Sequence, residues 1–250
     1  MAQEIRPWRV KEMTPIAVRE RLALRPTLIV PVGTTEQHGP HLPLGCDTII
    51  VERLADDLSA RFGVLRAPAL EYGVHTTTQR LPGGAALRRR TLHRVMNELI
   101  ESWEDGAGVR EFVILTAQAS EGHLEALSTI RLDAATVTVI DVFDLDLSAI
   151  IPEAIGPVHG GEADTSLLLY LAPELVRMDL AQDFAPPADG GRGRRWADRL
   201  LAASPGSIGY PTRASAQKGE RLYTFILDRV SRCFSRPQIE GSACAPPASP

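Results

Sequence analysis

Lysine is nearly absent from this chain: Lys11 and Lys218 are the only two, and arginine supplies the rest of the 27 basic residues. Against 31 acidic residues the net charge is −4, so there is no electrostatic footprint for nucleic acid or for an anionic membrane surface. No run of eighteen apolar residues occurs, and the opening MAQEIRPWRVKEMTP has no apolar stretch of the signal-peptide kind. A spanning helix and a standard secretion signal are therefore not expected, and the protein reads as cytoplasmic. The three cysteines, Cys46, Cys233 and Cys244, form no CxxC pair. Their odd number argues against a disulfide framework and for a reducing compartment. No GxGxxG follows any candidate strand, which removes the dinucleotide-binding reading of an α/β chain.

What is present is ordinary globular material. The 250 residues are 44% hydrophobic and 23% charged, enough to build a core. Short apolar runs alternate with helical patterns. Strands are predicted over 27–33, 64–70, 111–117 and 135–142. Helices are predicted from Asp47 onward, with Asp47 or Thr48 as N-cap, and over 92–103, 123–134, 162–171 and 215–234. Val- and Ile-rich strands alternating with helices predict an α/β fold: a single domain, mainly parallel sheet with helices on both faces. No internal repeat is visible, and no linker divides the chain. The expected organisation is one domain over 1–237, with a surface loop at 185–195 and a Pro/Ala/Ser-rich disordered tail at 238–250.

The densest polar cluster is GTTEQHGPHLPLGCDT, Gly33 to Thr48, just past the carboxyl end of the first core strand. Open α/β sheets place their ligands there. Glu36 and His38 are one residue apart, so an extended backbone points both to the same side. Asp47 returns after a loop stiffened by Pro40 and Pro43. Two carboxylates and an imidazole suit zinc, manganese or iron(II). The plainer reading makes Glu36 and His38 loop residues and Asp47 a helix cap. His41 reads as structural. A second cluster, GPVHGGEADTS, puts two glycines between His159 and Glu162. A Glu in a first helical turn is often only a dipole or capping residue, whereas His159 in a Gly-rich turn can carry protons near neutral pH.

The segments TTEQHGPHLPLGCDT, HGGEADTSLLL and GSIGYPTRASAQKGERL, and more loosely EYGVHTTTQRLPGG, resemble the creatininase (creatinine amidohydrolase) family over about residues 31–222. The resemblance implies that Glu36, His38 and Asp47 bind a dinuclear metal centre, with Asp47 bridging. It also implies that His159 shuttles a proton, that Glu162 lies at the metal site, and that the protein is a homo-oligomer, often a hexamer.

The departures matter as much. After its central strand the family carries Asn-Gly-His-Gly-Gly-Asn or Asn-Gly-His-Tyr-Glu-Asn, whose His binds metal. Here EFVIL runs into Thr116-Ala-Gln-Ala-Ser-Glu121. A gapless match places Gln118 at the His position, and an amide oxygen is a poorer zinc ligand than imidazole. A shifted match would use His123 and Glu125 instead, at the cost of five extra residues; the gapless one is preferred. Thr77, Thr78 and the Leu81-Pro-Gly-Gly84 stretch also differ from the family's substrate-side pattern, so creatinine itself is not the expected substrate.

The expected activity is a metal-dependent amidohydrolase cleaving a C–N bond of a small cyclic amide, formamide or short peptide. One or two divalent ions, zinc foremost, would activate water and polarise the carbonyl, and His159 would pass a proton to the leaving nitrogen. Gln118 and His123 are the further site candidates. The competing expectation is a catalytically altered or inactive homologue that binds a small molecule or a protein partner.

Overall fold

The computed structural model describes residues 6–75, 81–151, 159–185 and 200–235. Thr77, Thr78, the tail 238–250 and all but the first residue of the expected loop at 185–195 lie outside them.

Five strands form one sheet: β1 (Trp8–Arg9), β2 (Thr27–Val32), β3 (Leu65–Arg66), β4 (Glu111–Thr116) and β5 (Thr136–Asp141), in the order β1-β3-β2-β4-β5. Every pairing is parallel. The helices are α1 (Pro15–Leu24), α2 (Cys46–Phe62), α3 (Arg89–Ala107), α4 (Glu121–Ser128), α5 (Glu162–Leu171) and α6 (Ala216–Ser235). The period-2 alternation of a strand sends its side chains to opposite faces. Leu28, Val30, Val32, Phe112 and Ile114 pack on one side with Leu22 of α1, Leu92, Met96 and Ile100 of α3, and Ala126 and Leu127 of α4. Ile29, Val113 and Leu115 pack on the other with residues of α2, α5 and α6. Two cores flank a sheet covered on both faces, as the sequence pattern predicts.

β2 is buried throughout although it contains Pro31, which cannot donate to a ladder. The register resolves this. The Pro31 carbonyl faces the β3 side and accepts from Leu70 N at 3.0 Å, beyond the end of β3. In a parallel strand the amide N points to that same side, so the missing donor costs no bond to β4.

Several expected boundaries move, the helix expected over 92–103 running from Arg89 to Ala107. β3 keeps only two residues of 64–70, because Pro68 cannot extend the ladder. The helix expected over 123–134 is α4, which starts at Glu121 and stops at Ser128. Glu104 of α3 accepts from the backbone N–H of Ala134 and Ala135 at 2.8 and 2.6 Å, steering the chain into β5. The N-cap of α2 is Gly45, not Asp47 or Thr48, which frees the Asp47 carboxylate from capping. Cys46 is free and buried, whereas Cys233 is disulfide-bonded. A single bridge is not the disulfide framework that the cysteine count argues against.

Among the described residues no helix is long and apolar enough to cross a membrane.

Candidate metal centre

The carboxyl ends of β2, β4 and β5 open into one cavity of about 100 Å³, lined by His38, Asp47, Ala117, Gln118, Ala119, Phe143, His159 and Asp164. This is the ligand end of a parallel sheet. Close packing brings the elements together there. A Cβ on Gly33 would fall 2.2 Å from Thr48 Oγ1 and 2.6 Å from its Cα, so only glycine lets the first turn of α2 sit against the end of β2. Gly160, at φ +64°, lies so near the His38 carbonyl that a Cβ would approach its oxygen to 2.5 Å. The turn carrying His159 therefore presses directly on the loop carrying His38.

At the centre His38 Nε2 stands 3.1 Å from Asp47 Oδ1, both residues being buried. The outer atoms of the pair are anchored. His38 Nδ1 donates to the Glu36 carbonyl at 3.1 Å, and Thr34 Oγ1 donates to Asp47 Oδ2 at 2.6 Å. Thr34 is held in turn, its carbonyl accepting from Thr48 Oγ1 at 3.0 Å. An imidazole fixed by one nitrogen and aiming the other at a carboxylate oxygen is the usual outer support of a metal ligand. Burial works to lower the His38 pKa, but Asp47, Asp164 and Glu36 outweigh it and push it up to about 10. Burial likewise opposes ionisation of Asp47, yet His38 holds its pKa below the ordinary value. The imidazolium balances carboxylates that have little water to solvate them.

His159 stacks on His38 with ring centroids 4.3 Å apart. Its Nε2 lies 2.5 Å from the Gln37 carbonyl, so that nitrogen carries the hydrogen and Nδ1 keeps its lone pair. Burial first, and the charge of His38 second, lower its pKa to about 3. The distal GSIG segment supports this turn, Ile208 N donating to the His159 carbonyl at 2.8 Å. Asp164, also buried, faces the same cavity and accepts from Gly160 N at 2.8 Å. Burial raises its pKa to about 6, with Asp47 adding to the rise against the pull of His38.

The remaining expected residues divide. Glu36 is buried beside the centre but turns toward the β4 end of the cavity. Gln118 Nε2 donates to its Oε2, and His75 Nδ1 lies 3.6 Å from its Oε1. The Gln118 oxygen is in use as well, accepting from Ser120 N at 3.1 Å. Glu162 pairs with Lys218 of α6 and is not among the cavity-lining residues; that bond fastens α5 to α6. His123 is also off the cavity wall. Its Nδ1 accepts from Val74 N at 3.1 Å, so Nε2 carries the hydrogen donated to Thr116 Oγ1 at 3.0 Å. Both ring nitrogens are committed, and burial lowers the pKa to about 4. His41, paired with Thr165 Oγ1 at 2.9 Å, braces the loop against α5.

Sequence reasoning missed two residues. Asp164 shares the first turn of α5 with Glu162, and which side of such a turn meets a cavity depends on how the helix docks. Cys46 offered only its adjacency to Asp47. Its sulfur belongs to a buried group with His38 and Asp47 whose potential ligand atoms all lie within 4.8 Å of one another. Burial, with Asp164, Asp47 and Glu36 nearby, pushes the thiol pKa up. An imidazole, carboxylates and a thiol, buried together with their outer atoms already bonded, fit a divalent ion.

The family model described as creatininase, creatinine amidohydrolase, matches residues 11–234, and the chain belongs to that family of amidohydrolases. The mycofactocin precursor peptide peptidase of Mycolicibacterium smegmatis is 30% identical over 229 residues, which is 86% of this chain and 88% of the relative. A creatininase structure designated Mn superposes with a TM-score of 0.79 at 25% identity, covering 91% of this chain and 97% of the other. A creatininase variant of Zn-Zn type gives 0.77 at the same identity and the same coverage.

Proposed function

We propose that this chain is a metal-dependent hydrolase that cleaves a C–N bond in a small cyclic amide, formamide or short peptide other than creatinine. The observation that carries the reading is the buried His38–Asp47 pair, each side chain anchored through its outer atom, with His159 stacked on it. The similarity to a named peptide peptidase supports the peptide end of the substrate range.

His38 and Asp47, with Glu36 beside them, are the residues proposed to hold the ion. That ion, zinc or alternatively manganese or iron(II), would supply polarisation of the amide carbonyl and acidification of water. The protein side of the chemistry is proton handling. His159, neutral with Nε2–H fixed on the Gln37 carbonyl, offers Nδ1 to accept a proton and return it to the leaving nitrogen. Gln118 acts by holding Glu36 in place, and His123 by buttressing the end of β4. Glu162 serves at the edge of the site by tying α5 to Lys218. A homo-oligomer, hexameric by resemblance, working in the cytoplasm completes the proposal.

One observation favours a second reading. The Gln118–Glu36 hydrogen bond and the neighbouring His75 give one carboxylate of the site partners that need no ion, as would suit a binding protein that has lost turnover. The test is elemental analysis of protein purified without chelator, followed by chelator-reversible hydrolysis of a panel of cyclic amides, formamides and short peptides. Bound metal with turnover supports the hydrolase. Bound metal without turnover across the panel favours the second reading, and no metal above background overturns the hydrolase in its favour.

A further inference from the structure

We propose that Cys46 is a direct metal ligand, making a His38–Cys46–Asp47 centre that selects zinc over manganese. The proposal rests on the metal-dependent reading above and concerns a ligand that the family resemblance does not supply. In a tetrahedral zinc site, ligand atoms bound at about 2.0–2.3 Å stand roughly 3.5 Å from one another. His38 Nε2 and Asp47 Oδ1, at 3.1 Å, already have such a separation. The Cys46 sulfur lies within 4.8 Å of a potential ligand atom on each of the two residues, and is the third donor of the proposed centre.

Three features support this arrangement independently of the cysteine. The Nδ1 of His38 is committed to the Glu36 carbonyl, so only Nε2 can ligate. Thr34 holds Asp47 Oδ2, which sets Oδ1 toward His38. Glu36 is held beside the pair by Gln118 and His75. His38 and Asp47 line the cavity with Gln118, Phe143, His159 and Asp164, and Cys46 lies behind them in the core, so the open side belongs to the first two.

On metal binding the Cys46 S–H bond and the His38 Nε2–H bond break, both protons leave to solvent, and the freed lone pairs form the metal–sulfur and metal–nitrogen bonds. Thiolate is a soft donor suited to zinc and cobalt(II), whereas manganese prefers oxygen. Cys46 therefore sets metal preference as well as ligand number.

The test uses the full chain stripped by chelator and titrated with cobalt(II), zinc and manganese. Cobalt(II) should bind at one equivalent with a near-ultraviolet sulfur-to-cobalt charge-transfer band, and zinc-edge absorption should show one sulfur at about 2.3 Å. Cys46→Ser should lose the band and weaken zinc at least about tenfold while leaving manganese within about threefold. Should that variant not fold by circular dichroism, Cys46→Ala takes its place, and the wild-type band and sulfur shell decide regardless. Cobalt bound without the band, or zinc with only nitrogen and oxygen neighbours, overturns the role of Cys46 and leaves the metal reading intact. Failure to bind any of the three ions overturns both.

Discussion

The loop from β2 to α2 and the turn from β4 to α4 reach one cavity from adjacent strands and meet it with different chemistry. The first brings Glu36, His38, Cys46 and Asp47, all buried, with Thr34 and Thr48 bracing them. The second brings Ala117, Gln118 and Ala119: two methyl groups and a neutral amide. Parallel pairing of β2 with β4, Val32 opposite Thr116, keeps both loops at the same depth, so the fold preserves the location on each side equally. Donor chemistry is preserved on one side alone. On the amide side, Gln118 satisfies Glu36 by a hydrogen bond that adds no charge and frees no lone pair. A scaffold can hold a site's geometry while its loops change the donors that line it.

The sharpest way to break this comparison is to remove a charged group from the first loop and the amide from the second. Asp47→Ala should weaken zinc binding by more than about 100-fold, whereas Gln118→Ala should change it by less than about 10-fold. Isothermal titration of chelator-stripped protein reads both, and equal losses would mean that the β4 side supplies a true ligand. His159→Gln comes next. Proton transfer by a positioned side chain contributes about 10²–10⁴-fold, so kcat should fall within that range while metal stoichiometry stays constant. A loss of metal in this variant would make His159 a ligand instead of a proton carrier.

A third prediction concerns His123, which buttresses β4 without touching the cavity. Its pKa falls from 6.5 to about 4 on folding, burial being the main cause. Between those values the unfolded chain binds a proton that the folded chain refuses. The stability is therefore present above pH 6.5 and drains as pH falls toward 4, by about 3 kcal/mol. Urea denaturation of metal-free protein at several pH values should show this loss, and His123→Asn should show less of it. An identical pH slope in the variant would place the acid-sensitive group elsewhere. The smallest effect is a gain: Gln118→His should restore an imidazole beside Glu36 and raise metal stoichiometry from one equivalent toward two. If stoichiometry stays at one while His123→Ala loses metal, the shifted match of the central motif is the correct one.

Much of this was legible in the sequence because it is local. Alternating Val- and Ile-rich runs and helical spacing predict a parallel sheet between two helical layers. The spacing of Glu36, His38 and Asp47 past a core strand predicts where a ligand binds. The motif resemblance predicts the family to which the chain belongs. The direction in which a first-turn side chain points was not local. Glu162 and Asp164 are two residues apart on α5, yet one meets Lys218 and the other meets the cavity. Only the docking of α5 against α6 and the β2 loop separates them. The same holds for Cys46, whose neighbours His38 and Asp47 are brought around it by the Pro-rich loop and by Gly33, where α2 presses on β2. The sequence thus determined the sheet, the end of it that carries the candidate site and most of the candidate donors, because hydrophobic period and backbone stiffness act over a few residues. Which donors share a point was decided by the tertiary structure, because a metal-sized cluster depends on ångström-scale packing between segments distant along the chain.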